Sequence, residues 1–253
     1  MKGLVWFRSD LRINHNPALK EACLSCEEVH AVYLYSPKQL KKHNEANVKI
    51  EFLINNLHCI AKDLEALNIP ITIIESDGYD TDHYLIEQLI TERNIDRVFW
   101  NNQIGEDEKV RDDNTKQAIE KIGKEHETCF DQEIYPPATL LSGQGTPYSV
   151  FTPFKKKWIE NFDVEYLDID FEYQAKKLTS ISSNLEDFNF NFSREHAVNM
   201  TMWQAGEKEA EKKLLYFLKT KVSQYAKDRN DPIIDGTSRI SPYLALGVIS
   251  AKK

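Results

Sequence analysis

The first 130 residues switch back and forth between two hydrophobic periods, and this constrains the fold more than any other feature of the chain. Short β-branched and aromatic runs occur at Leu4–Phe7, Val29–Tyr35, Ile71–Glu75, Val98–Asn101 and Thr128–Phe130. Longer stretches with helical spacing lie between them. From Asn47 to Leu67, the residues Ile50, Leu53, Ile54, Leu57, Ile60, Ala61 and Leu64 fall on one stripe, the pattern of an amphipathic helix. Asp80 to Arg93 and Glu106 to Lys124 read similarly, the second more polar and therefore expected to be more exposed. Strands that alternate with helices pair in parallel, because each crossover carries the chain back across the sheet. Right-handed crossovers then predict an α/β fold, a doubly wound parallel sheet of about five strands, Rossmann-like in outline.

Beyond Asp131 the periodicity fades. Pro136-Pro137, Gly143-Gln144-Gly145 and a Ser/Asn-rich tract from Thr179 to Asn191 read as a long connector, 131–201, with enough aromatics to pack on something. Helical spacing returns from Gly206 to Ala226, where Ala210, Leu214, Leu215, Phe217, Leu218, Val222 and Tyr225 form an apolar face. Ser241-Pro242 opens a further helix, with Pro expected at its first position. The expected organisation is an α/β domain over 1–130, the connector, and an incomplete helical domain over 202–253.

A chain of 253 residues exceeds one compact domain and falls short of two. With 41% apolar and 28% charged residues it can bury a core. Its longest apolar runs fall far short of the roughly 18 residues of a membrane span. The start carries no secretory pattern, and four cysteines make no disulfide framework, so a cytoplasmic location is expected. A net charge of −8 argues against a protein that coats nucleic acid indiscriminately, but it leaves room for a local basic groove. Lys155-Lys156-Lys157 alone reads as a solvated face.

Several common chemistries are missing. The turn after the first strand, Phe7-Arg8-Ser9-Asp10-Leu11-Arg12, has no glycine, so a backbone approach to a pyrophosphate of the usual dinucleotide type fails there. There is no Walker loop, nucleophile elbow or His-Glu-x-x-His. Cys23-Leu24-Ser25-Cys26 falls at the end of a helical stretch rather than at the start that would lower a thiol pKa, and no second pair completes a zinc site.

Three segments remain informative. Trp6-Phe7-Arg8-Ser9-Asp10-Leu11-Arg12 places Arg8 and Asp10 at the C-terminal end of a strand, where open α/β sheets bind ligands; an Arg–Asp pair that merely stitches the turn is the plainer reading. Tyr148 to Trp158 is an aromatic-basic stretch containing Phe151-Thr152-Pro153-Phe154-Lys155. Tyr225-Ala226-Lys227-Asp228-Arg229, followed by Gly236-Thr237-Ser238-Arg239-Ile240-Ser241, crowds hydroxyls and a guanidinium just before a helix, a natural anion cradle.

Together with Gly206-Glu207, these motifs resemble the photolyase/cryptochrome family over essentially the whole chain, most closely its bacterial class I cyclobutane pyrimidine dimer photolyases. The resemblance implies light-dependent DNA repair, in which photoexcited reduced FAD donates an electron to a pyrimidine dimer flipped out of the helix and an antenna pigment gathers light. Family members continue for roughly 200 further residues, in keeping with a two-domain length. The expectation is therefore an N-terminal portion, inactive alone, that does not hold FAD stably.

The resemblance assigns FAD contacts to Tyr225, Thr237, Ser238, Arg239, Ile240 and Ser241, and a DNA phosphate contact to Arg229. It assigns an antenna folate (methenyltetrahydrofolate, ahead of a deazaflavin) to His43, Asp107 and Glu108. A carboxylate at Glu108 can accept two hydrogen bonds from a pterin edge, although Asp107 and Glu108 also suit a helix N-terminus as plain dipole partners. No catalytic side chain and no metal site is implied. The implied partner is dimer-containing DNA, with no membrane, and the complete protein is expected to be a monomer. A blue-light receptor of the cryptochrome type and a stand-alone pigment- or nucleotide-binding module are the competing readings.

Overall fold

The computed structural model describes residues 1–163, 167, 171–192 and 200–253. Five strands, β1 (Lys2–Phe7), β2 (Glu28–Tyr35), β3 (Ile71–Glu75), β4 (Arg97–Asn101) and β5 (Glu125–Cys129), form one parallel sheet in the order β3-β2-β1-β4-β5. The order reverses direction between β1 and β4, as a doubly wound sheet requires. Because side chains alternate along a strand, β1 sends Val5 and Phe7 to one face and Leu4 and Trp6 to the other.

The first face is covered by α1 (Pro17–Ser25) and α3 (Asn47–Glu65), which bury Ala18, Leu19, Ala22, Leu53, Leu57, Ile60 and Leu64. The second is covered by α4 (Asp82–Arg93) and α5 (Glu106–Lys121) through Ile86, Leu89, Ile90 and Ile119. A short helix, α2 (Pro37–Lys42), follows β2. Asn16 and Pro17 start α1 as their chemistry dictates: the Asn16 side chain accepts from the Leu19 N–H, and Pro17 sits where no N–H is needed.

Beyond the sheet lie α6 (Phe151–Glu160), α7 (Glu207–Thr220), α8 (Tyr225–Asp228) and α9 (Ser241–Ala245). Of the described residues after α6, Tyr173, Leu185, Phe188 and Phe190 pack on the first sheet face. Leu185 is buried there, and Phe188 and Phe190 meet Tyr35 edge-on at 6.1 and 5.1 Å. The edge of β3 is closed by side chains rather than by a strand: the Ile71 N–H donates to Ser183 Oγ, and Asn184 both accepts from the Ile73 N–H and donates to its carbonyl.

Several expected boundaries move. The strand read at Thr128–Phe130 runs instead over Glu125–Cys129. Its first half is polar because it is an edge strand, and Arg97 on β4 holds it through Glu125 (Nε to Oε2, 2.8 Å) and Glu127 (3.3 Å). The helix expected from Gly206 to Ala226 stops at Thr220, whose hydroxyl bonds back to the Tyr216 carbonyl, and a 3₁₀ turn separates it from α8. Pro242 is the second helical residue of α9, not the first, with Ile240 as the cap. The polar helix α5 does not simply face water: Arg111, Asp112 and Thr115 are buried.

Candidate functional site

In a parallel sheet of this order, loops at the C-terminal ends of the strands frame the place where a ligand can approach. Here that rim begins as a buried polar knot. Arg8, just after β1, donates to Asp112 at 2.7 Å. Asp112 also accepts from Arg111 through Nε and Nη2 (3.0 and 2.8 Å) and from Trp100 Nε1 at 3.2 Å. Burial, joined by the neighbouring charge of Arg111, pulls the Arg8 guanidinium down to about 10. Asp10 accepts from the Arg8 backbone N–H and from the Asn101 amide, both at 2.6 Å. Asp10 thus stitches the turn through the Arg8 backbone, while the Arg8 guanidinium ties the turn to α5 through Asp112.

Arg111 carries the knot outward. Its guanidinium lies between the Trp6 ring at 4.9 Å and the Tyr79 ring at 4.7 Å, and Nη2 also donates to Gln103 at 2.8 Å. Tyr79, on the loop after β3, donates its hydroxyl to Glu108 Oε1 at 3.3 Å. Burial, reinforced by the Glu108 carboxylate, pushes the Tyr79 phenol above its ordinary value, so it stays a donor at neutral pH.

Glu108 and Asp107 occupy the first turn of α5, where the helix dipole favours acids. Glu108 is half-buried and Asp107 exposed. His43 is the exposed C-cap of α2. That helix flanks the same loop: Lys38 pairs with Asp77, and the Gln39 side chain lies against Gly78. Among the described residues no hydrogen bond or ion pair joins His43 to either acid. Tyr79, Gly105 and Arg111 were not among the residues singled out in the sequence. The only signal was Gly105 directly before an acidic helix turn.

The second group of candidates lies in the helical part. Tyr225 opens α8 and meets the Phe217 ring edge-on at 5.6 Å. The exposed Arg229 guanidinium sits 5.7 Å from the Tyr225 ring centre. Gly236 brings the two halves of this region together, since a Cβ there would lie 2.5 Å from Asp228 Cβ. Thr237 and Ser241 are exposed, Ser238 and Ile240 half-buried. Arg239 has a left-handed backbone (φ 54), and its carbonyl accepts from Trp203 Nε1 at 3.1 Å. Its guanidinium pairs with Asp235 at 2.9 Å, and Lys221 reaches the same carboxylate at 2.7 Å. These two cations, with burial opposing them only weakly, hold Asp235 below the usual carboxylate range. The helix that follows, α9, is only five residues long.

Sequence comparison supplies what geometry alone leaves open. A family model described as DNA photolyase matches residues 3–175. The chain belongs to the DNA photolyase family. It is 30% identical over 256 residues to a deoxyribodipyrimidine photo-lyase of Vibrio cholerae, covering 99% of this chain and 53% of that protein. It is 32% identical over 260 residues to the corresponding Buchnera aphidicola protein, covering 99% of this chain and 52% of that one. The crystal structure of a bacterial class III photolyase from Agrobacterium tumefaciens superposes with a TM-score of 0.84 at 26% identity, covering 99% of this chain and 51% of that one. The chain thus spans about half the length of the photolyases it matches.

Burial pushes Cys23 up to about 11 and raises Cys26 as well, the opposite of the lowered thiol on which a reactive redox pair depends. Among the described residues no cluster of metal-ligating side chains occurs, and no helix is long and apolar enough to cross a membrane.

Proposed function

We propose that this chain is the pigment-carrying α/β part, with the beginning of the flavin-binding part, of a deoxyribodipyrimidine photo-lyase that splits cyclobutane pyrimidine dimers in DNA under light. The observation that carries this reading is the continuity of the match: photo-lyase relatives align over 99% of the chain, through the sheet, the connector and the docked helices. The proposed organisation is an antenna domain over 1–130, a connector over 131–201 and the start of a flavin domain over 202–253.

Glu108, Asp107 and His43 would hold a reduced folate at the rim of the sheet. The fit rests on Glu108, a half-buried carboxylate on a helix N-terminus, which suits the N–H edge of a pterin. Tyr225, Thr237, Ser238, Arg239, Ile240 and Ser241 would hold FAD. That fit rests on Arg239, which already grips one anion, the Asp235 carboxylate, in the manner an arginine grips phosphate, beside uncovered Thr237 and Ser241 hydroxyls. Reduced FAD supplies the light-driven electron donor for ring cleavage. Arg229, whose exposed guanidinium lies beside the Tyr225 ring, suits a DNA phosphate.

The test is photoreactivation in cells. Bacteria lacking their own photolyase and carrying the complete gene should survive ultraviolet irradiation better when blue light follows it than when kept dark. Equal survival in light and dark sinks the repair reading and favours a signalling receptor.

A further inference from the structure

We propose that Gly105 and Tyr79 build a two-sided seat that fixes the Glu108 carboxylate in one pose, and so are positioning residues for a ligand edge with paired N–H donors. This rests on the folate reading of Glu108.

Glu108 is the third residue of α5, and its side chain folds back over the helix cap. A Cβ on Gly105 would lie 1.9 Å from Glu108 Oε2 and 2.8 Å from Cδ, so the carboxylate occupies the space that any other residue's side chain would fill. The backbone of Gly105 (φ −64, ψ 150) is open to every residue type, so the glycine matters for room and not for conformation: a side chain there would move the Glu108 carboxylate out of this pose. The other oxygen, Oε1, accepts from Tyr79. Tyr79 is itself braced, because its ring lies against Arg111, which is 3% exposed and tied to Asp112 and Gln103. The seat thus joins the loop after β3 to the turn after β4.

Its two neighbours in the turn, Glu106 and Asp107, are exposed. A glutamate on an exposed helix turn samples several rotamers, and ordering it on binding lowers affinity; holding it ready removes that loss, roughly two- to tenfold per side chain.

The experiment titrates 5,10-methenyltetrahydrofolate into the chain and into Glu108→Gln, Gly105→Ala and Tyr79→Phe, reading affinity and the position of the bound pigment's absorption band. Alanine fits the Gly105 backbone and phenylalanine keeps the ring on Arg111, so circular dichroism melts of both should match the parent. The expected result is at least tenfold weaker binding for Glu108→Gln. Gly105→Ala and Tyr79→Phe should each bind about three- to tenfold more weakly with a displaced band, and together no worse than roughly the weaker single variant, because both act on one carboxylate. If Glu108→Gln weakens binding while both seat variants keep parental affinity and band position, the seat is wrong and the folate reading stands. If the parent does not bind, or Glu108→Gln binds like it, the folate reading fails and takes the seat with it.

Discussion

The guanidinium of Arg12 donates to the carbonyl of Gly247, 2.9 Å away, although the two lie 235 positions apart. Arg12 also pairs with Asp131, and the Leu11 N–H donates to the Leu246 carbonyl at 3.1 Å. Nearby, Glu207 at the start of α7 accepts from the Ile13 and Asn14 N–H groups at 2.8 and 3.3 Å. The turn after β1 therefore serves as a dock for the helical part.

The dock has no spare room. Gly247 has φ +60, and a Cβ there would lie 2.0 Å from the Ser9 carbonyl oxygen and 2.6 Å from Asp10 Cα, both backbone atoms. Gly247→Ala should therefore lower stability by at least about 2 kcal/mol, from left-handed strain and displaced backbone together. Urea unfolding of the two proteins checks it; an unchanged midpoint would show that the helical part does not bear on the turn.

Asn184 guards a sheet edge. Its amide oxygen and nitrogen meet the Ile73 N–H at 2.7 Å and carbonyl at 2.9 Å. Asn184→Ala should cost about 1–3 kcal/mol by leaving two backbone groups unpaired, and should promote edge-to-edge association. Denaturant unfolding gives the first quantity and sedimentation at increasing concentration the second.

Acid should weaken the fold through His30. Burial lowers its pKa below 6.5, against the opposing pull of Glu28, with Arg93 and Lys2 adding to the lowering. Its contribution is thus present above about pH 6.5 and lost as pH falls through the depressed folded value, because the unfolded chain binds the proton first. The slope is at most about 1.4 kcal/mol per pH unit. Asp82, Asp131 and Glu207 are raised by burial and act with the opposite sign, favouring the fold below their unfolded values, so the test is a difference. Stability measured between pH 7 and 5 should fall less steeply in His30→Gln than in the parent.

The thiols should be quiet. Burial pushes Cys23 up to about 11 and Cys129 up to about 12, and raises Cys26 and Cys59. At pH 7.5 a disulfide reagent such as DTNB should label the folded chain at least about tenfold more slowly than the urea-unfolded chain. Comparable rates would restore the redox reading of Cys23 and Cys26.

How far the sequence carried can be followed residue by residue. Val29, Ala31, Ile71, Ile73 and Val98 are buried on the sheet as their β-branched runs and neighbours implied, because a parallel strand covered on both faces must be apolar almost throughout. The stripe from Ile50 to Leu64 likewise lies on the core. The edge strand β5 was legible only in its last residues, since Glu125 and Glu127 are kept by Arg97 and not by hydrophobicity. Helix α6 was hidden because its stripe is short, with Phe154 and Trp158 only half-buried against Tyr148 and Tyr135, and because Pro153 near its start reads as a break. At the proposed folate site, a family motif pointed to Glu108. Tyr79 was not legible, because it lies 29 positions from Glu108 and only the return of β3 and β4 to a common rim brings the two together; Arg111, three positions from Glu108 on α5, belongs to a helix whose polar pattern reads as facing water.

The measurement that bears most directly on the proposed function is repair in a purified system. The complete gene product, with reduced FAD, should convert a thymine-dimer oligonucleotide to undamaged strand under blue light and leave it unchanged in the dark. Tight, light-independent binding to the same oligonucleotide with no loss of dimer on illumination would contradict it.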